Sequence, residues 1–175
     1  MISDWKKIAD TYESDENVIN ILVRGNNSFK PFENDVLFNA LNSNLKLRQI
    51  IIPKGTVNEL VLTSITAETF MVKNKKYRFF AFGGGAVIDY TKHLIHFAYN
   101  NKIEVDNFIV APTTAGSGSE MTEFAVLYEK NGTKISIQKK YLKPNHVYYK
   151  YDTLVNANNN LIISSGLDSI CQSIE

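Results

Sequence analysis

Two glycine-punctuated stretches hold the residue types best suited to chemistry. In Phe79-Phe80-Ala81-Phe82-Gly83-Gly84-Gly85-Ala86-Val87-Ile88-Asp89, an apolar run stops at three glycines and a helical pattern begins at once. Glycines at such a corner let the backbone approach a ligand closely. The N–H groups and dipole of a helix start favour an anion there, typically phosphate. In the second stretch, Pro112 to Glu120 and on to Thr122, the hydroxyls of Thr113, Thr114, Ser117, Ser119 and Thr122 are interleaved with Gly116 and Gly118. Each hydroxyl can donate or accept, which suits ribose and phosphate oxygens. Taken singly, the first stretch is also compatible with a bare turn and the second with ordinary Ser/Thr turn bonds.

Other candidates are weaker. His93 and His96 stand i, i+3 on a predicted helix and can reach one metal, but no third ligand is near, and solvent-facing histidines are common. His146 opens a predicted strand and reads as structural. Cys171 can be read as a ligand or redox thiol, and more simply as a small buried helix residue. Asp89, near a helix start, complements the dipole. Lys134, Lys139, Lys140 and Lys143 read as a solvated face, or as guidance for an anionic ligand.

The elements that must position these residues follow from periodicity. A helix is expected over 3–12, with Trp5, Ile8, Ala9 and Tyr12 on one face. Strands are expected at Val18–Val23, Arg48–Ile52, Tyr77–Phe82 and Asn107–Ala111, as apolar runs of the kind found in buried parallel sheets. Helices are expected between them, over Pro31–Asn42, Val57–Val72 and Ala86–Tyr99. This alternation predicts a Rossmann-like parallel α/β sheet flanked by helices, with ligands at the carboxyl ends of the strands, where both glycine stretches fall. Beyond it, Glu123–Glu129 and Thr133–Gln138 flank Asn131-Gly132, a hairpin signal. His146–Tyr149 reads as one more strand, and the chain turns helical from about Thr153. A helix over Leu161–Glu175 meets the last residue without a stop signal, so the sequence is expected to end inside an element.

Composition narrows the class. A net charge of +1 lacks the basic signature of a general nucleic-acid binder. The single cysteine cannot form an internal disulfide, and a reducing, cytoplasmic setting fits. The N-terminus lacks the apolar core of a signal peptide, and no apolar run approaches the roughly 20 residues needed to span a membrane.

Gly83-Gly84-Gly85-Ala86-Val87-Ile88-Asp89, then Pro112-Thr113-Thr114-Ala115-Gly116-Ser117-Gly118-Ser119-Glu120, then Gly166-Leu167-Asp168-Ser169-Ile170 together resemble the iron-containing (group III) alcohol dehydrogenase family, in order and spacing, over nearly the whole chain. The resemblance implies a dehydroquinate synthase-like N-terminal NAD(P)-binding domain, here 1–152, followed by the beginning of an all-helical metal-binding domain at 153–175. It implies a metal-assisted oxidoreductase interconverting an alcohol and an aldehyde. By position, Gly83, Gly84, Gly85 and Ala86 would cradle the pyrophosphate, with Asp89 matching an acid of the same motif. Thr113, Thr114, Ser117 and Thr122 would contact the phosphates and the nicotinamide half, and Val126 and Lys134 would lie along the nicotinamide ribose.

Where many NAD-preferring members carry an aspartate after the first strand, this chain has Gly25. Its Gly25-Asn26-Asn27-Ser28-Phe29-Lys30 is similar to the Gly-x-x-Ser-x-Lys of NADP-accepting members, so NADP is expected over NAD, with Ser28 and Lys30 toward the 2′-phosphate. The family's divalent metal, iron or zinc, is held by an aspartate and three histidines. Asp168 matches the aspartate, Gln172 stands where the first histidine would be, and an amide binds transition metals less strongly than imidazole. The chain by itself is therefore expected to be catalytically incomplete. Residues 164–175 look most like the branch of phosphonate-aldehyde reductases, implying a phosphonate-bearing aldehyde. Self-association is expected from an apolar helical face. Two other readings are a non-catalytic nucleotide-binding remnant and an enzyme of the dehydroquinate synthase or glycerol-1-phosphate dehydrogenase type.

Overall fold

The computed structural model describes all 175 residues except Thr56, Met71, Lys73, Asn156 and Glu175, and describes Gln172 by its backbone alone. The apolar runs form a six-stranded sheet of β1 (Ile2–Asp4), β2 (Val18–Gly25), β3 (Arg48–Ile52), β4 (Lys76–Gly83), β5 (Val105–Pro112) and β8 (His146–Tyr149), in the order β1-β8-β5-β4-β2-β3. Every pairing in it is parallel. Helices α1 (Lys30–Glu33), α2 (Val36–Leu45), α3 (Glu59–Thr69) and α4 (Gly85–Asn100) connect or cover the strands. Outside the sheet, β6 (Phe124–Tyr128) and β7 (Lys134–Gln138) make an antiparallel hairpin, and α5 (Tyr151–Val155) and α6 (Asn159–Ile174) follow.

Side chains alternate across the sheet, so the central strands β2, β4 and β5 each supply two cores. Tyr77, Phe79 and Ala81 face Ile21, Val23, Val110 and α4 on one side. Phe80 and Phe82 face Leu22, Ile109, Trp5, Phe32, Phe38 and Leu41 on the other. Strands buried on both faces read as unbroken apolar runs, which is why the parallel sheet was visible in the sequence.

Three expectations are corrected. The helix over 3–12 is absent: Ile2–Asp4 pairs with β8 as an edge strand, and only Trp5–Lys7 forms a helical turn, of 3-10 type, capped by Asp4. The helical spacing of Trp5, Ile8 and Tyr12 marks burial, since all three are buried, but turns deliver it. The helix over Pro31–Asn42 is two helices, because Asp35 caps a new one by accepting from the Phe38 N–H at 2.9 Å. Cys171 is exposed rather than buried. Among the described residues no helix is long and apolar enough to cross a membrane.

Candidate functional site

The strand order places β3 on one side of β2 and β4 on the other, so the direction in which successive strands are added reverses between β2 and β4. A crevice opens at the carboxyl ends of strands at such a switch point, and open α/β sheets bind ligands there. β2 ends at Gly25, β4 at Gly83, and Gly83 pairs in register with Pro112 at the end of β5. Three turn-forming stretches therefore lie together at the carboxyl ends of the central strands.

At the corner, Gly84 is the N-cap of the 16-residue α4, and among the described residues no side chain caps it. The glycines are needed because the chain closes on itself there. A Cβ on Gly83 would meet Val87 Cγ2 at 2.3 Å, one on Gly84 would meet Thr114 Oγ1 at 3.0 Å, and one on Gly85 would meet Ser117 Oγ at 2.9 Å. The hydroxyl loop thus lies directly on the glycine corner. The Thr113 N–H donates to Gly83 O at 3.1 Å, fixing the start of that loop. The Thr113 hydroxyl is buried and has no hydrogen-bond partner among the described residues. This hydroxyl thus stands beside a helix start, where polar and anionic ligands are favoured.

Further along, one face of α4 is polar where an apolar one would be expected. Asp89, Lys92, His93 and His96 stand at i, i+3, i+4 and i+7 and reach the segment after the loop. Asp89 accepts from the Ser119 hydroxyl at 2.5 Å and from the Val126 N–H at 3.2 Å. Burial pushes its carboxyl above the ordinary range, against the pull of these bonds and of Lys92. Lys92, fully buried, donates to Ser119 O, Thr122 O and Phe124 O at 2.7, 2.9 and 2.6 Å. Burial lowers its pKa to about 8, opposed by Asp89 and Glu120. His93 Nε2 lies 3.1 Å from Val126 O, and burial lowers its pKa to about 4, so it is neutral at pH 7. Tyr149 donates to Glu120 at 3.2 Å, and burial together with that carboxylate pushes its hydroxyl up to about 12.

The candidates thus fall into distinct roles. Gly83, Gly84, Gly85, Ala86, Thr113, Thr114 and Ser117 are brought together at the crevice. Gly25 joins them: a Cβ there would meet Ser28 Oγ at 2.8 Å and Val87 Cγ2 at 3.9 Å, so Ser28 folds over the end of β2 beside the corner. Thr122 lies under the loop, with its carbonyl on Lys92. Val126 is on β6, its backbone taken by Asp89 and His93. Lys134, exposed on β7, pairs with Tyr128 two residues further along β6.

The histidines are not a metal pair. His93 turns to β6, while His96 Nδ1 lies 2.8 Å from the Tyr141 hydroxyl. Lys92 escaped the reading of the sequence altogether. The available signal was the helical spacing of Asp89, Lys92, His93 and His96, which puts all four on one face of a core helix.

Helix α6 rests on the crevice. A Cβ on Gly116 would meet Ser165 O at 2.5 Å, and Asp168 stands one turn further on, exposed. The Gln172 side chain lies outside the described residues. Among the described residues no three His, Cys, Asp or Glu side chains are grouped to hold a metal ion. Asp168, the metal position implied by the resemblance, thus has no group of further ligands around it among the described residues.

A family model described as iron-containing alcohol dehydrogenase matches residues 22–151. The chain is 26% identical over 95 residues to 1-propanol dehydrogenase PduQ of Salmonella typhimurium, covering 54% of this chain and 26% of that one. It is 27% identical over 173 residues to a mitochondrial hydroxyacid-oxoacid transhydrogenase of Caenorhabditis elegans, covering 83% of this chain and 36% of that one. Among solved structures, an iron-containing alcohol dehydrogenase superposes with a TM-score of 0.77 at 17% identity, covering 100% of this chain and 52% of that one. One from Thermotoga maritima superposes with a TM-score of 0.76 at 17% identity, covering 99% and 52%. The chain spans about a quarter to a third of the length of these curated relatives and about half that of these structures. The structural likeness carries the fold, and the family model runs from within β2 through β8 and takes in both glycine-punctuated loops, so this chain belongs to the iron-containing alcohol dehydrogenase family.

Proposed function

We propose that this chain binds a nicotinamide dinucleotide, NADP(H) ahead of NAD(H), in the crevice between β2, β4 and β5, and serves an oxidoreductase that interconverts an alcohol and an aldehyde. The observation that carries the reading is the buried, unpartnered Thr113 hydroxyl beside the α4 start, which no side chain caps among the described residues. The residues fit such a group. The backbone of Gly84, Gly85 and Ala86 would take the pyrophosphate at the helix start. Thr113, Thr114 and Ser117 would bind phosphate and ribose oxygens, with Val126 and Lys134 along the nicotinamide ribose. Asp89 has both carboxylate oxygens engaged by Ser119 and Val126, so its part is to hold the loop. When bound, the nicotinamide supplies the hydride acceptor or donor.

Ser28 folded over Gly25 supports the preference for NADP(H). The Cβ of an aspartate at position 25, the kind of residue that holds an unphosphorylated ribose, would stand 2.8 Å from the Ser28 hydroxyl, which would have to turn away. Ser28 and Lys30 are left to meet a 2′-phosphate. The names of the relatives, a 1-propanol dehydrogenase and a hydroxyacid-oxoacid transhydrogenase, support a small alcohol or carbonyl substrate class. We read 1–152 as the dinucleotide-binding unit and α5–α6 as belonging to a second, helical one, and we derive no step through a metal.

Fluorescence titration tests the reading. NADPH is expected to bind saturably, about tenfold tighter than NADH, a difference of about 1.4 kcal/mol. Equal affinity for the two would overturn the NADP(H) preference, and binding of neither would overturn the reading as a whole.

A further inference from the structure

Lys92 is the one fully buried ammonium on the polar face of α4, and its three N–H donors meet three backbone carbonyls, those of Ser119, Thr122 and Phe124. None belongs to its own helix; the acceptors lie 27, 30 and 32 residues further along the chain. A buried charge persists only when it is paired and hydrogen-bonded, and an apolar side chain would fill the same space at less cost. The ion is therefore explained by what it holds.

What it holds is a segment with little regular structure of its own. Residues 113–123 contain Gly116 and Gly118, the latter at a φ of 60°, and lie outside every strand and helix. Asp89 anchors the Ser119 hydroxyl and the Val126 N–H from the same helix face, and His93 stands on the Val126 carbonyl. Upstream of these anchors, Thr114 and Ser117 of the same segment lie against Gly84 and Gly85.

We propose that Lys92 is the positioning residue of the crevice: its ammonium gathers the carbonyls of residues 119–124 and thereby holds Thr113, Thr114 and Ser117 against the glycine corner. The inference rests on the dinucleotide reading above. Lys92 itself touches no part of the ligand.

The test uses the full chain and its Lys92→Met and Lys92→Ala variants. Met keeps the apolar stem and removes the donors; Ala opens a cleft the size of propylammonium. Hydrogen exchange in Lys92→Met is expected to speed up by about 10- to 100-fold at amides of 113–126, with β4 and β5 unchanged. This follows from the loss of charge-assisted hydrogen bonds. The Kd for NADPH is expected to rise by a similar factor. Propylammonium added to Lys92→Ala is expected to restore both, while tetramethylammonium, which cannot donate, restores neither. Unchanged loop exchange would overturn the proposal. So would loop and sheet exchange rising together, since Lys92 would then be a general stability residue. Should Lys92→Met fail to fold, the amine rescue of Lys92→Ala decides alone. Failure of the unmodified chain to bind NADPH would sink the cofactor reading, while the loop-exchange measurement would still decide the role of Lys92.

Discussion

Gly116 and Ser165 approach so closely that a Cβ on the glycine would stand 2.5 Å from the serine carbonyl oxygen and 2.6 Å from its Cβ. The hydroxyl loop and the helix carrying Asp168 are thus in direct contact, with no side chain between them. Gly116→Ala must therefore displace α6 or the loop, at a cost of about 1–3 kcal/mol, in the range for overpacking. Gly166, in the same helix, meets nothing within 4 Å, and Gly166→Ala is expected to stabilise by about 0.5–1 kcal/mol through helix propensity. Urea unfolding of the two variants checks the opposite signs.

The glycine corner makes a separate prediction about affinity. A Cβ on Gly84 would press on Thr114 Oγ1 at 3.0 Å and Cγ2 at 3.2 Å. Thr114 can turn away, so Gly84→Ala is expected to cost under about 1.5 kcal/mol of stability. Its NADPH affinity is expected to fall by about 10-fold or more, because the backbone can no longer approach the ligand. Paired titration and thermal unfolding would separate the two effects.

Cofactor choice is predicted to turn on Ser28 and Gly25 together. Gly25→Asp alone places its Cβ against Ser28 Oγ and is expected to weaken both dinucleotides. The double variant Gly25→Asp with Ser28→Ala removes the clash and adds repulsion toward a 2′-phosphate. It is expected to shift the NADH-to-NADPH affinity ratio by about 10- to 100-fold toward NADH.

His93 makes a prediction about acid stability. Burial depresses its pKa from 6.5 to about 4, so the unfolded chain binds a proton more readily than the folded one between those values. Its stability contribution is full above about pH 6.5 and is lost as the pH falls toward 4. The loss amounts to about 3 kcal/mol. Urea midpoints at pH 7, 5.5 and 4.5 would show it, and His93→Leu should flatten that part of the profile while lowering stability at pH 7, because Val126 O loses its partner.

Asp35 ties three elements together. Its carboxylate accepts from Trp5 Nε1 at 3.1 Å, the Phe38 N–H at 2.9 Å and Lys150 Nζ at 2.6 Å. Burial pushes this carboxyl up, and these bonds pull it further down, leaving it below the ordinary carboxylate value. Asp35→Ala loses a helix cap and a half-buried ion pair and is expected to cost about 2–4 kcal/mol, read from chemical denaturation.

Much of this was legible in the residues because the physics behind it is local or strictly periodic. A strand buried on both faces must be apolar throughout, so the central strands β2, β4 and β5 announced themselves, and Gly83–Gly85 and Asn131-Gly132 mark turns that few other residues can make. Local physics could not show that Ile2–Asp4 would pair with β8, a strand more than 140 residues away in sequence. Nor could it show that Asp35 would restart a helix, or that the face of α4 carrying Asp89, Lys92 and His93 would meet a loop some thirty residues away. The residues by themselves determined which loops carry the glycines and hydroxyls at the carboxyl ends of the strands. Only the tertiary structure decided which carbonyls Lys92 meets, because a buried ammonium is tolerable only where distant carbonyls converge on it, and that convergence exists only in the folded chain.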